Sequence, residues 1–205
     1  MPLLKSSLPE TAPGAGTPAL ADLGRVLADG TDEERRAAAR DLIAFRDAAI
    51  PALAARLQAE TSPSVRAAIL TTLSHIDTAE AAAAIAPLLA SQIASWRTAA
   101  IDALRAMSLA AAGTARDLLR NPDPDVRIMA IEVLRGCADP HVPRWLAEVL
   151  TRAANQNVCA AAVDVLAEIG TADVLDAVTA LLVRFPTNAF LRFACAAAAT
   201  RLRDA

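Results

Sequence analysis

One feature constrains this chain more than any other: a short pattern returns six times at nearly constant spacing. The copies read ERRAAARDLIAF from Glu34, VRAAILTTLSHI from Val65, WRTAAIDALRAM from Trp96, VRIMAIEVLRGC from Val126, VCAAAVDVLAEI from Val158 and LRFACAAAATRL from Leu191. Anchored on their second residue, they place Arg35, Arg66, Arg97, Arg127, Cys159 and Arg192 at steps of 31, 31, 30, 32 and 33 residues. A period in this range is the mark of stacked supersecondary units rather than of a single globular core.

The columns of the repeat carry its physics. Seven residues after the anchor come Leu42, Leu73, Leu104, Leu134, Leu166 and then Ala199; ten after it come Phe45, Ile76, Met107, Cys137, Ile169 and Leu202. Apolar residues near offsets 0, 3, 7 and 10 trace one face of a helix. Small residues at the second and third offsets, such as Ala37, Ala68, Ala99, Ala161 and Ala194, are expected to let neighbouring helices approach closely. A second apolar segment precedes each copy, as in IPALAARL, VPRWLAEVL and LDAVTALLV. Ser62-Pro63, Asn121-Pro122-Asp123-Pro124-Asp125 and Pro186-Thr187-Asn188 separate the members of a pair with helix stops and caps. Pro51, Pro87 and Pro143 fall where first helices begin, where a missing N–H costs least. The unit is therefore helix, turn, helix. One unit cannot bury its own apolar face, so the copies must stack into an all-α solenoid, expected to be a right-handed superhelix, over residues 19–205.

Composition agrees. Alanine supplies 52 of 205 residues, and the seven glycines are too few for a hairpin-rich β fold. With 55% hydrophobic residues the chain can bury a core. The first 18 residues hold four prolines and two glycines and read as a flexible N-terminal arm. A formal charge of −3 disfavours general nucleic-acid binding, which relies on a basic face, although a local basic strip can hide in an acidic total. No apolar run reaches the roughly 20 residues of a membrane span, and the N-terminus lacks the apolar stretch of a secretory signal. Three cysteines at irregular spacing suit a reducing compartment, which points to the cytoplasm.

The signature x-Val-Arg-x-x-Ala-x-x-x-Leu, clearest from Pro63 to Leu73 and from Asp123 to Leu134, resembles the short HEAT-like repeats named from phycobilin lyases. The resemblance covers about residues 19–203 and speaks to fold far more than to function. It implies that Arg35, Arg66, Arg97 and Arg127 form a structural ladder tying adjacent repeats together through carboxylates or helix-end carbonyls. Cys159 departs from that pattern, so the ladder should weaken in the later repeats, and Arg192 lies in an atypical final copy.

Catalytic chemistry finds little footing. Cys137 and Cys159 fall at opposite ends of successive second helices, about 15 Å apart along the axis at 1.5 Å per residue. Cys195 falls in a small-residue column. Neither His75 nor His141 is followed by Glu, so the His-Glu pairs with which HEAT-like deoxyhypusine hydroxylases hold iron are missing. HEAT-like DNA alkylation glycosylases would be expected to show a basic groove with aromatics. Trp96, in the column of Val65 and Val126, reads as packing, and Trp145 as partly exposed. No catalytic residue, metal ligand or cofactor is assigned. The informative surface is the fifth and eighth offsets of the second helices, expected to line the concave side. There Asp102, Arg105, Glu132, Arg135 and Asp164 form a mixed-charge ridge, with Asp102–Arg105 and Glu132–Arg135 spaced as i,i+3 pairs. The leading expectation is a non-catalytic scaffold or adaptor that binds another protein on that ridge. The alternative, implied by the resemblance, is a lyase-type subunit that handles a bilin-like prosthetic group within a complex.

Overall fold

The structure, a computed structural model, describes residues 19–204. The arm proposed for residues 1–18 lies outside them. Twelve α-helices pair into six units: α1 (Leu20–Asp29) with α2 (Asp32–Asp41), α3 (Ile50–Ala59) with α4 (Pro63–Ile76), α5 (Ala79–Ile85) with α6 (Ala94–Met107), α7 (Leu109–Leu118) with α8 (Pro124–Arg135), α9 (Val142–Arg152) with α10 (Gln156–Ile169), and α11 (Leu175–Arg184) with α12 (Ala189–Asp204). Odd-numbered helices form one layer and even-numbered helices the other. At most junctions neighbouring even helices pack together more extensively than neighbouring odd ones.

Local chemistry starts these helices where the sequence places its caps. Thr31 and Glu34 close a reciprocal capping box on α2. Asp123 caps α8 ahead of Pro124, and the Asn155 side chain accepts from the N–H groups of Asn157 and Val158 at the start of α10. Gly170 ends α10 for a steric reason: a Cβ there would lie 2.4 Å from the Leu166 carbonyl oxygen and 2.8 Å from Leu202 of α12. Between units, Arg46, Asp77 and Ser108 each adopt positive φ, at 47°, 55° and 43°. All three stand 11 residues after an anchor, Arg46 and Ser108 alike in ψ (−125° and −100°) and Asp77 in the left-handed helical region, so the first three inter-unit turns share a positive φ at one position. The fourth, Gly136 to His141, abandons it.

Packing corrects the column reading in one respect. The third offset is the buried one in every copy: Ala38, Ile69, Ala100, Ala130, Ala162 and Cys195. The second offset ranges from exposed Ala37 to buried Ala68, with the other copies half-buried. A 100° rotation per residue explains this, since it turns the second position toward the rim of the contact while the third and seventh face it squarely. Leu42, Leu73, Leu104, Leu134 and Leu166 are all buried, as is Ala199. The last unit presents Phe190 and Phe193 to solvent on α12. Among the described residues no helix is long and apolar enough to cross a membrane.

Candidate functional site

The ridge runs across α6, α8 and α10. Their apolar stripes face the core, and this turns offsets five, eight and nine outward. Arg105 does not pair with Asp102 as the spacing predicts. It reaches forward one repeat, donating from Nε to the Glu132 carbonyl at 2.8 Å and from Nη2 to Glu132 Oε2 at 3.0 Å. Arg135 does pair with Glu132, at 3.1 and 3.2 Å, and also reaches forward, to Asp164 at 2.7 Å and to Glu168. The correction has a geometric cause. The next repeat offers an acceptor that meets the long guanidinium head-on, whereas an i,i+3 partner requires it to fold back along its own helix.

Ser74 occupies the same column one repeat earlier and donates forward to the Ala103 carbonyl at 3.2 Å. The eighth offset is thus a line of ties between repeats, from Ser74 through Arg105 to Arg135. Glu168 belongs to this network and was not singled out from the sequence. The available signal was its position four residues after Asp164 on the same helix face.

The anchor residues play the complementary part. Arg66, Arg97, Arg127 and Cys159 each donate to the carbonyl six residues earlier: Glu60, Ser91 (2.7 Å), Asn121 (3.2 Å) and Ala153 (3.4 Å). Each closes the turn inside its own unit. Links between units come only from the first two, where Arg35 bonds Glu60 and the Arg66 guanidinium lies 3.5 Å over the Trp96 ring. The ladder implied by the resemblance is therefore corrected. At Arg97 and Arg127 the side-chain hydrogen bond seen among the described residues stays within the repeat.

Electrostatically the ridge is acidic. Four carboxylates (Asp102, Glu132, Asp164, Glu168) face two guanidiniums (Arg105, Arg135), a balance of −2. Arg135 is the most sheltered member, its side chain 21% exposed, while that of Asp164 is 69% exposed. The bond to Glu132 is the main force holding Arg135 firmly protonated, against the opposing effect of burial. Asp102 is exposed and makes no side-chain bond among the described residues. What the ridge offers a partner is negative charge on a braced frame.

The match to a family model agrees with this architecture. A family model for HEAT repeats matches residues 20–105 and 111–200. Among solved structures, an engineered protein of the Northeast Structural Genomics Consortium is 19% identical with a TM-score of 0.44, over 90% of this chain and 96% of that one. The complex of CpcE and CpcF of phycocyanin lyase from Nostoc sp. PCC7120 gives 18% identity and a TM-score of 0.30, over 98% of this chain and 100% of that one. No curated protein matches. With the repeat model spanning nearly all of the paired helices, the chain belongs to the HEAT-repeat family.

Proposed function

We propose that this protein is a non-catalytic scaffold that holds a partner protein along the even-helix face, and that the partner contributes a basic segment. The acidic ridge from Asp102 to Glu168, braced from within by Arg105 and Arg135, carries this reading. A charge pattern held in place by its own lattice meets a partner without reordering. Such complementarity acts on specificity and association rate more than on raw affinity. Burial, with Cys159 nearby, pushes the Cys195 thiol up to about 11, which leaves it unreactive and consistent with a packing role.

The test is affinity capture with the parent and with an Asp102→Lys/Asp164→Lys variant. These two carboxylates are chosen because they are exposed; since Asp164 also accepts from Arg135 of the preceding repeat, the single Asp102→Lys variant, which breaks no bond among the described residues, is captured alongside. A partner retained by the parent and released by the variant, with binding that weakens as salt rises, is expected. Equal capture by both forms would refute the ridge as the binding surface.

A further inference from the structure

The odd-helix layer has one break. α3 packs on α5, α5 on α7 and α9 on α11, but α7 and α9 make no more than marginal contact. Between them opens a cleft of about 560 Å³. It lies at the junction where the tight positive-φ turn of the earlier units is lost. Arg116 and Arg120 line one wall, Arg144, Trp145 and Arg152 the other, and Arg127 reaches in from α8. Leu119, Val149 and Ala153 add apolar surface. Five guanidiniums thus meet one carboxylate, Glu148, which lies 3.8 Å from Arg144.

A chain of net charge −3 has concentrated its arginines where they face one another. Guanidiniums do not deprotonate in proteins, so the walls repel, and the recess focuses positive potential. Few of the donors are satisfied internally. Arg127 gives Nη1 to the Asn121 carbonyl, but its buried Nε has no acceptor. Arg120 and Arg152 make no side-chain hydrogen bond or ion pair among the described residues. Arg116 meets its neighbour Asp117 at 3.3 Å and lies 5.6 Å over the Trp145 ring on the opposite wall. The exposed guanidiniums of Arg120 and Arg152 are uncommitted within the protein, so a bound anion can take them in charge-assisted bonds in place of water.

We infer that this cleft binds a small phosphate-dense anion, one carrying at least two phosphate groups. Guanidiniums line both walls, which suits tetrahedral groups with acceptor oxygens on every side; a carboxylate offers a single edge. The volume is that of a small-molecule site. The apolar lining of Leu119, Val149 and Ala153 can take an apolar portion of the ligand, whereas the Trp145 ring already has His141 stacked at 6.2 Å and the Arg116 guanidinium at 5.6 Å. A nucleic-acid backbone needs basic residues along a track, and here the track ends on both sides. α5 has no basic residue, and on α11 Arg184 is committed to the Leu150 and Thr151 carbonyls. The site shares no residue with the acidic ridge, so the two readings stand or fall separately.

Calorimetric titration of the full chain with inorganic tripolyphosphate at 150 mM salt tests this. Saturable one-to-one binding is expected. It should weaken about tenfold in Arg120→Gln and about a hundredfold in Arg120→Gln/Arg152→Gln, one charge-assisted contact being worth about a factor of ten. Arg201→Gln, on distant α12, should bind as the parent does. Both cleft arginines are exposed, and their removal relieves repulsion. The double variant should therefore melt at or above the parent's temperature in low salt, which separates lost binding from lost fold. Absence of saturation, or equal binding by the cleft variants, overturns the site. Equal affinity for citrate overturns the phosphate assignment. Tighter binding of single-stranded oligonucleotides, growing with their length, overturns the small-ligand assignment in favour of nucleic acid.

Discussion

Replacing Glu60 by Gln should produce a stability loss that depends on pH in a calculable way. Glu60 follows α3, and its side chain is fully buried. Its carboxylate accepts from Arg56 at 2.8 Å, from Arg35 at 3.1 and 3.2 Å, and from the N–H groups of Thr61 and Ser62 at 2.8 and 2.7 Å. It thereby joins the first unit to the second and caps the approach to α4. Burial alone would raise its pKa. The bonds from Arg56, the Ser62 N–H and Arg35 outweigh burial and lower the pKa from 4.5 to about 2. A folded pKa below the unfolded one contributes stability that is complete above the unfolded value and is lost as pH falls toward the folded value. At 1.36 kcal/mol per unit, the full contribution is about 3 kcal/mol at pH 7. By pH 3 the unfolded carboxylate is mostly protonated and the folded one mostly is not, so about 2 kcal/mol of this is gone.

Glu60→Gln should accordingly lie about 3 kcal/mol below the parent at pH 7 and only about 1 kcal/mol below it at pH 3. Urea titrations followed by helical circular dichroism at both pH values give the two gaps. Hydrogen exchange should show α1 and α2 opening first, since their tie to the second unit is the one removed. A gap that stays constant between pH 7 and pH 3 would refute the assignment of the low pKa to this junction.

Other substitutions test the remaining layers of the argument. Arg46 is exposed and holds φ 47° and ψ −125°, a conformation suited to glycine; Arg46→Gly should raise stability by about 1 kcal/mol, and an unchanged or lower thermal midpoint would show that the turn is unstrained. Ala130→Leu should overpack the third-offset column and cost about 1–3 kcal/mol. Ala37→Leu, at the exposed second offset, should stay within about 0.5 kcal/mol, so similar losses in the two melts would contradict the register. Arg135→Ala removes ties to Glu132, Asp164 and Glu168; a loss of about 1–2 kcal/mol that shrinks in 1 M salt is expected, and a loss indifferent to salt would mean the ties contribute packing rather than charge.

Much of the architecture was legible because it rests on local and periodic information. Six Arg-containing or related segments, the leucine column from Leu42 to Leu166, and the stop-and-cap run that ends on Asp123, Pro124 and Asp125 announce paired helices without any knowledge of their neighbours. The candidate site was legible only as a set of positions. Helix phase names Asp102, Arg105, Glu132, Arg135 and Asp164 as positions, but it does not name their partners. Spacing within a helix favours Asp102–Arg105, whereas the structure pairs Arg105 with Glu132, 27 residues on. Such a bond depends on how one repeat sits on the next, which no single helix encodes. The same ignorance exchanged the roles of two columns: the anchors close turns, and the eighth offset carries ties between repeats.

The cleft between α7 and α9 shows the division most clearly. Arg116, Arg120, Arg127, Arg144 and Arg152 are spread over 37 positions of an acidic chain, and no linear count sets them apart. The periodicity of the chain by itself determined that helices form, which face each one buries and that the units stack, because helix phase and burial follow from residues a few positions apart. Only the tertiary structure decided which charges meet and where the stack opens. Those outcomes depend on angles and separations between units that are set by small differences in turns such as Ser108 and Gly136–His141, and electrostatic energy depends steeply on the distances that result.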